Sequence, residues 1–317
     1  MHEKRIIGSG YHRQYGQAHA EVNCLASVSE ADRSLIAAST LFVTLEPCAH
    51  FGKTPPCADL IIKNKIPRVI VGCRDPFPEV DGKGIEKLLA AGVEVVTGVL
   101  EDECKELNSR FFTFHKHHRP YIVLKWAQTA DQKIAAGDKR LFITNDYANR
   151  IVHRWRSEEA AILVGTNTAL QDDPLLTNRL WDGPSPVRLV TDRQLRLPST
   201  LRIFNDQRPV IVFNNVKEEK AGHVHFHKLP GNDAFLKEML DAMYQLKILS
   251  VLVEGGARLL QSFIDAGYWD EARVITNMHL HAVEGIPAPV LKDATCISEE
   301  TFTNQYFQFY KPALAFA

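Results

Sequence analysis

No stretch of this chain is both long and apolar enough to span a bilayer, and no secretory signal stands at its front. An excess of charge is missing too: 37 Lys and Arg oppose 38 Asp and Glu, for a net charge of −1. That balance withholds the electrostatic footprint of a nucleic-acid binder or of a protein that docks on anionic membranes. The six cysteines suggest no disulfide framework. Internal repeats are absent, and so is the G-x-G-x-x-G fingerprint, which disfavours a Rossmann dinucleotide fold. The expectation that remains is a cytoplasmic protein whose partner is a small molecule, with no nucleic acid and no membrane.

At 317 residues the chain is long enough for two domains, each with its own core. Strand and helix patterns alternate throughout, which implies an α/β architecture. In the first part, residues 40–45, 68–73 and 93–99 read as strands, and 18–28, 57–63, 84–91 and 101–112 as helices. The histidine-rich patch at 115–118 could mark a metal site but reads better as a solvated linker between domains. A second unit opens with a strand at 120–125. It continues through a helix near 146–159 and strands at 160–165, 187–191 and 209–213. Residues 249–260 then read as strand, glycine turn and helix.

The chemistry lies in His19, Glu21, Cys48 and Cys57. Zinc takes imidazole nitrogen and thiolate sulfur, and a catalytic zinc keeps a fourth position for water. Glu21, two residues past the histidine, is then a proton shuttle rather than a ligand, as in zinc nucleobase deaminases. Each residue alone is more often an ordinary buried thiol or satisfied histidine; three in the right order, with Glu21 and Pro47, reverse that. His19 is expected in the first turn of a helix, and Cys57 at a helix start behind Pro55 and Pro56.

The eight-residue interval between Cys48 and Cys57, A-H-F-G-K-T-P-P, closely resembles the deaminase half of the bifunctional riboflavin-biosynthesis deaminase/reductases. The resemblance implies a zinc cytidine-deaminase-like α/β/α sandwich over residues 1–115, with His19, Cys48 and Cys57 as ligands and Glu21 as proton donor. It places His12, His50 and Lys53 at the ribose and phosphate of the substrate. That family normally has a helix and a first strand ahead of the segment matching residues 5–12. Their absence here leads to the expectation of a sequence short at its front or of an impaired deaminase half.

The second half resembles the reductase of the same family at K-W-A-Q-T-A-D (125–131), at V-G-T-N-T-A-L-Q-D-D-P-L-L-T (164–177) and at V-E-G-G (253–256). This implies a dihydrofolate-reductase-like α/β domain over residues 120–317 that uses NADPH. Matched positions put Ala127, Phe142, Thr168, Asp172, Gly256, Ala257, Arg258, Leu259, Leu260, Gln261 and Ser262 at the cofactor. Arg140, Arg156, Leu176, Arg179 and Glu254 fall at the substrate, and Lys125, Asp172 and Glu254 are candidates for polarising and protonating its carbonyl. Two departures stand out. Gln132 replaces a usual glycine, and Phe142 replaces a common tryptophan, keeping a stacking face but losing the indole donor.

The expected reactions are hydrolytic deamination of 2,5-diamino-6-ribosylamino-4(3H)-pyrimidinone 5′-phosphate, then NADPH reduction of its ribosyl chain, in a homo-oligomer. Three alternatives stay open: a reductase with a damaged metal domain, a nucleic-acid-editing deaminase with an appended module, and a zinc-stabilised module without activity. The editing enzyme predicts a basic groove with interleaved aromatics. The inactive module leaves Glu21 without a role.

Overall fold

Apolar runs bounded by prolines, glycines and polar residues become the strands of a small parallel sheet and of a larger one that is parallel at its centre and antiparallel at both margins. The computed structural model describes residues 1–13, 16–51, 55–136, 141–231 and 234–313. It divides into two units, Met1–Lys116 and His117–Ala317.

In the first unit, β1 (Thr40–Leu45), β2 (Arg68–Cys73) and β3 (Glu94–Thr97) pair in that order, all parallel. The central strand β2 is buried from Val69 to Cys73, as a parallel strand covered on both faces requires. Val69 and Val71 meet α1 (Ala20–Ala26), α2 (Cys57–Lys63) and α3 (Lys83–Ala90) through Leu25, Ala58, Ile61 and Leu88. On the opposite face, α4 (Glu101–Leu107) lies so close to Gly72 that a Cβ there would overlap Cys104 Sγ. The layers are therefore helix, sheet, helix.

Two boundaries differ from the sequence reading. The helix expected over 101–112 ends at Leu107, with Asn108 as its C-cap, and α5 (Ser109–His117) follows directly. The expected linker is thus mostly helix: His115 packs its ring on Phe111 at 4.4 Å and on Phe77 at 5.0 Å. Its polarity hid an aromatic face that Phe112 and Phe114 continue.

The second unit is built on a ten-stranded sheet. Its elements are β4 (Tyr121–Thr129), β5 (Lys133–Ala135), α6 (Asp146–Glu158), β6 (Ala161–Gly165), α7 (Thr166–Asp172), β7 (Val187–Thr191) and β8 (Val210–Asn214). These are followed by β9 (Glu219–Ala221), β10 (Val224–Lys228), α8 (Phe235–Gln245), β11 (Ser250–Val253), α9 (Ala257–Asp265), β12 (Glu271–Asn277), β13 (Ile286–Pro287), β14 (Ala294–Phe302) and β15 (Gln305–Pro312). The order is β14-β15-β12-β4-β11-β6-β7-β8-β10-β9, while β13 pairs with β5 apart from it. Successive side chains of the central strands are buried on alternate faces of the sheet. Ile122 and Leu124 of β4 join a core with Met239 of α8 and Phe263 of α9, while Tyr121 and Val123 pack with Val152 and Trp155 of α6. Helices thus cover both faces.

The chain runs outward from β6 to β10 and then returns through β11 into the gap between β4 and β6. In open α/β sheets such a reversal, at the carboxyl ends of the strands, is where ligands bind.

Gln132, the departure noted above, has φ +58°. That left-handed conformation costs an ordinary residue about 1–2 kcal/mol, and glycine almost nothing. Gln132→Gly is therefore expected to stabilise the second unit by about 0.5–1 kcal/mol, the remainder going to extra freedom in the unfolded chain. All four tryptophans lie in this unit, so their fluorescence during urea unfolding reads the change directly.

Candidate functional site

His19 is the N-cap of α1 rather than part of its first turn, with extended φ −67° and ψ 167°. Capping turns its ring out of the helix toward Cys48, which lies in the loop that Glu46 and Pro47 open after β1. Cys57 begins α2 behind Pro56. His19 Nδ1 stands 3.5 Å from Cys48 Sγ and 3.3 Å from Cys57 Sγ, and the three ligand atoms lie within 4.8 Å of one another. Backbone ties fix the two cysteines: Cys57 N–H donates to Cys48 Sγ at 3.3 Å, and Ala58 N–H to Cys48 O at 3.1 Å.

Electrostatically these groups crowd one another. A hydrogen bond from Cys57, joined by His19, draws the Cys48 thiol far below its ordinary value, and the same bond pushes Cys57 up. The pair behaves as one thiolate and one thiol sharing a proton. A divalent ion displaces that proton, because coordinated thiols ionise outright. One imidazole and two thiols are a borderline-soft donor set that suits zinc, with a fourth position left for water. Glu21 is buried in the first turn of α1, and burial raises its pKa.

Around this centre, the His12 ring meets the His19 ring edge-on at 5.3 Å. His50 Nε2 lies 3.8 Å from Glu79, and its Nδ1 is buried without a hydrogen-bond partner. Lys53 and Arg140 lie outside the described residues.

The sequence reading missed two carboxylates here. Glu46 is 3% exposed and accepts backbone N–H groups from Asp75, Gly82, Gly84 and Ile85, clamping the 75–85 loop beside Cys48. Gly84 has to be glycine, since a Cβ would collide with Pro47 O. Asp75 is pushed up to about 6, first by burial and then by Glu46 and Cys48. The only signal available beforehand was Glu46 itself, an acidic residue ending an apolar strand.

In the second unit, Lys125, Arg156 and Glu254 meet. Arg156 Nε and Nη2 donate to the two Glu254 oxygens at 2.8 and 2.7 Å, and Nη1 donates to Thr177 O at 3.1 Å. Lys125 Nζ lies 3.9 Å from Glu254 Oε2. Burial alone would raise Glu254, but Arg156 and Lys125 together hold it down to about 2. Burial, aided by Arg156, lowers Lys125. His153, a turn before Arg156, accepts from Arg179 N–H at 3.0 Å, and burial between Arg156 and Arg179 lowers it to about 4.

The turn after β11 lies against the start of α7: Gly256 N–H donates to Thr168 Oγ1 at 2.8 Å, and a Cβ on Gly255 would stand 2.9 Å from Gly165 N. Two helix N-termini thus face the carboxyl ends of neighbouring strands β6 and β11, an arrangement that suits phosphate. Ala127 lies half-buried on β4, and Phe142 is 78% exposed. Asp172 closes α7.

Several expected contacts are redirected. Glu254 takes two of the five N–H groups of Arg156, on its Nε/Nη2 edge, and Thr177 O takes another, so only the two that remain are left for a substrate. Leu176 and Leu260 are core side chains, 3% and 1% exposed, and offer a ligand only backbone. Gln261 bonds Asp265 and Val290, and Ser262 donates to Leu259 O, which leaves Gly256, Ala257 and Arg258 as the part of that stretch at the helix start.

Residues 1–73 match the cytidine and deoxycytidylate deaminase zinc-binding region, and residues 120–277 match the RibD C-terminal domain. The riboflavin biosynthesis protein RibD of Aquifex aeolicus is 43% identical over 277 residues, which cover 84% of this chain and 76% of that protein. Its counterpart in Bacillus amyloliquefaciens is 40% identical over 280 residues, 85% and 74% of the two chains. A diaminohydroxyphosphoribosylaminopyrimidine deaminase/5-amino-6-(5-phosphoribosylamino)uracil reductase from Thermotoga maritima superposes with a TM-score of 0.88 at 35% identity. That match covers 98% of this chain and 89% of the other.

Proposed function

This chain belongs to the family of the riboflavin biosynthesis protein RibD, and from that premise we propose how its residues divide the family's two reactions. The protein is a bifunctional enzyme of riboflavin biosynthesis, a deaminase and a reductase, with zinc and NADPH as cofactors. Deamination is assigned to Met1–Lys116 and reduction to His117–Ala317.

One observation carries the first assignment: His19, Cys48 and Cys57 converge in the zinc-binding region with Glu21 buried two residues past His19, in the first turn that His19 precedes. Zinc bound there lowers the pKa of water toward neutrality. Glu21, whose proton affinity burial has raised, takes the proton of the attacking water and returns it to the leaving amine of the pyrimidinone phosphate, releasing ammonia. His12 and His50 supply donors for the ribose and phosphate, and Glu46 positions the loop that carries Asp75.

In the second unit Glu254 stays ionised at neutral pH, so it orients Lys125 and Arg156 and does not act as the acid. Lys125, made more acidic by burial, is the proton source for the carbonyl oxygen of the open-chain ribose. NADPH, when bound, would be the hydride source for the carbon of that carbonyl, and the product would be 5-amino-6-(5-phosphoribitylamino)uracil. Thr168, Gly256, Ala257 and Arg258 hold the cofactor phosphates at the two helix starts. Asp172 and Arg179 complete the binding surface. A homo-oligomer in the cytoplasm is part of this reading; among the described residues, no helix is long and apolar enough to cross a membrane.

Stripping metal with a chelator tests the division. Ammonia release is expected to vanish and to return with added zinc, while NADPH oxidation on the deaminated substrate is unchanged throughout. Parallel loss of both activities, or of neither, overturns it.

A further inference from the structure

One strand in from the far edge of the large sheet, β10 carries His225 and His227 at alternate positions, so both project on one face, and His223 stands just ahead of the strand. His223 is engaged with Phe204 O at 3.0 Å. The rings of His225 and His227 lie edge-to-face, 5.2 Å between centroids. Glu218, just ahead of β9, reaches both: its oxygens lie 2.6 Å from His225 Nε2 and 3.7 Å from His227 Nδ1. Lys228 N–H donates to Glu218 Oε2 at 2.7 Å and fixes the carboxylate.

An exposed histidine–carboxylate pair is ordinarily a surface ion pair worth little. Two features go further here. The three ligand atoms lie within 4.8 Å of one another, and His227 Nδ1 is shielded from solvent with no hydrogen-bond partner. A buried nitrogen left without a partner is costly, and an ion satisfies it.

We propose that Glu218, His225 and His227 form a second metal site, selective for divalent first-row transition ions such as zinc or copper. Two imidazoles and one carboxylate, without thiolate, suit those ions; calcium and magnesium want oxygen alone. The ion ties the segment before β9 to β10. Because β9 is a three-residue edge strand with every residue exposed, that tie closes the sheet margin. Lys220 opposes it: it stands directly across from His225 in the β9–β10 register, and its charge disfavours a cation. Lys217 is paired with Glu219, and Phe213 packs against the His227 ring, so neither competes for the ion. This site is independent of the deaminase and reductase assignments.

Equilibrium dialysis of the full-length protein against zinc, followed by metal analysis, tests it. Wild type is expected to hold about one equivalent more than the His225→Ala/His227→Ala variant. Cys48→Ser/Cys57→Ser should remove a different equivalent, recognised by loss of thiolate-to-cobalt charge-transfer absorption when cobalt replaces zinc. Glu218→Gln, which preserves shape, should weaken the extra site at least about tenfold, and Lys220→Gln should tighten it. Circular dichroism and NADPH oxidation should be the same in all the edge variants. Equal zinc uptake by wild type and the double histidine variant, or indifference to Glu218→Gln and Lys220→Gln, overturns the proposal.

Discussion

Glu21→Gln is expected to slow deamination by about 10²–10⁴-fold while bound zinc and NADPH oxidation stay at wild-type levels. The amide matches the carboxylate in size and fills the same buried position in the first turn of α1. It cannot accept a proton, so water is no longer deprotonated as it attacks and the amine leaves without a donor. A purely structural role predicts something else: weaker zinc retention, lower stability, or both. Ammonia release, metal content and thermal unfolding measured on one preparation separate the two. If deamination falls by only a few-fold, Glu21 is not the proton carrier and the roles of the neighbouring carboxylates Asp75 and Glu46 have to be reconsidered.

The parts of this protein legible beforehand are those written in local chemistry. The runs that became β1, β2 and β4 are apolar and bounded by turn residues, and Pro56 ahead of Cys57 announces α2. The cluster of His19, Cys48 and Cys57 was visible because few roles other than metal binding call for a histidine, two cysteines and an acid in that order. What stayed hidden depends on distant neighbours. Nothing local tells that Glu46 will clamp a loop some thirty-five residues on, or that Arg156 will turn its fork on Glu254, 98 residues away. The segment at 115–118 is solvated from Lys116 to His118 as read, but its helical form up to His117 and the packing of His115 were hidden because polarity was weighed without the aromatic face beneath it. Alternate histidines at 223, 225 and 227 were a readable period-two signal, but Glu218 enters only through the pairing of β9 with β10.

Arg156→Ala is expected to destabilise the second unit by about 3–5 kcal/mol, because it strands a carboxylate whose side chain is only 9% exposed. Glu254 titrates at about 2 in the folded protein against an ordinary 4.5, so the native state holds fewer protons than the unfolded one across that interval. Its contribution, about 3 kcal/mol, is complete above pH 4.5 and is lost as the pH falls through 2. Without Arg156 only Lys125, 3.9 Å away, still favours the anion, and burial now dominates. Acid unfolding should then begin at a higher pH than in wild type. Adding Glu254→Gln to Arg156→Ala should recover part of the loss, since an uncharged amide is far less costly to enclose than a lone carboxylate. Tryptophan fluorescence in urea at neutral pH, repeated down to pH 3, measures each step. A loss below about 1 kcal/mol for Arg156→Ala shows that water reaches Glu254 when the guanidinium is gone. In that case the carboxylate does not depend on the fork, and the orienting role given to it beside Lys125 fails as well.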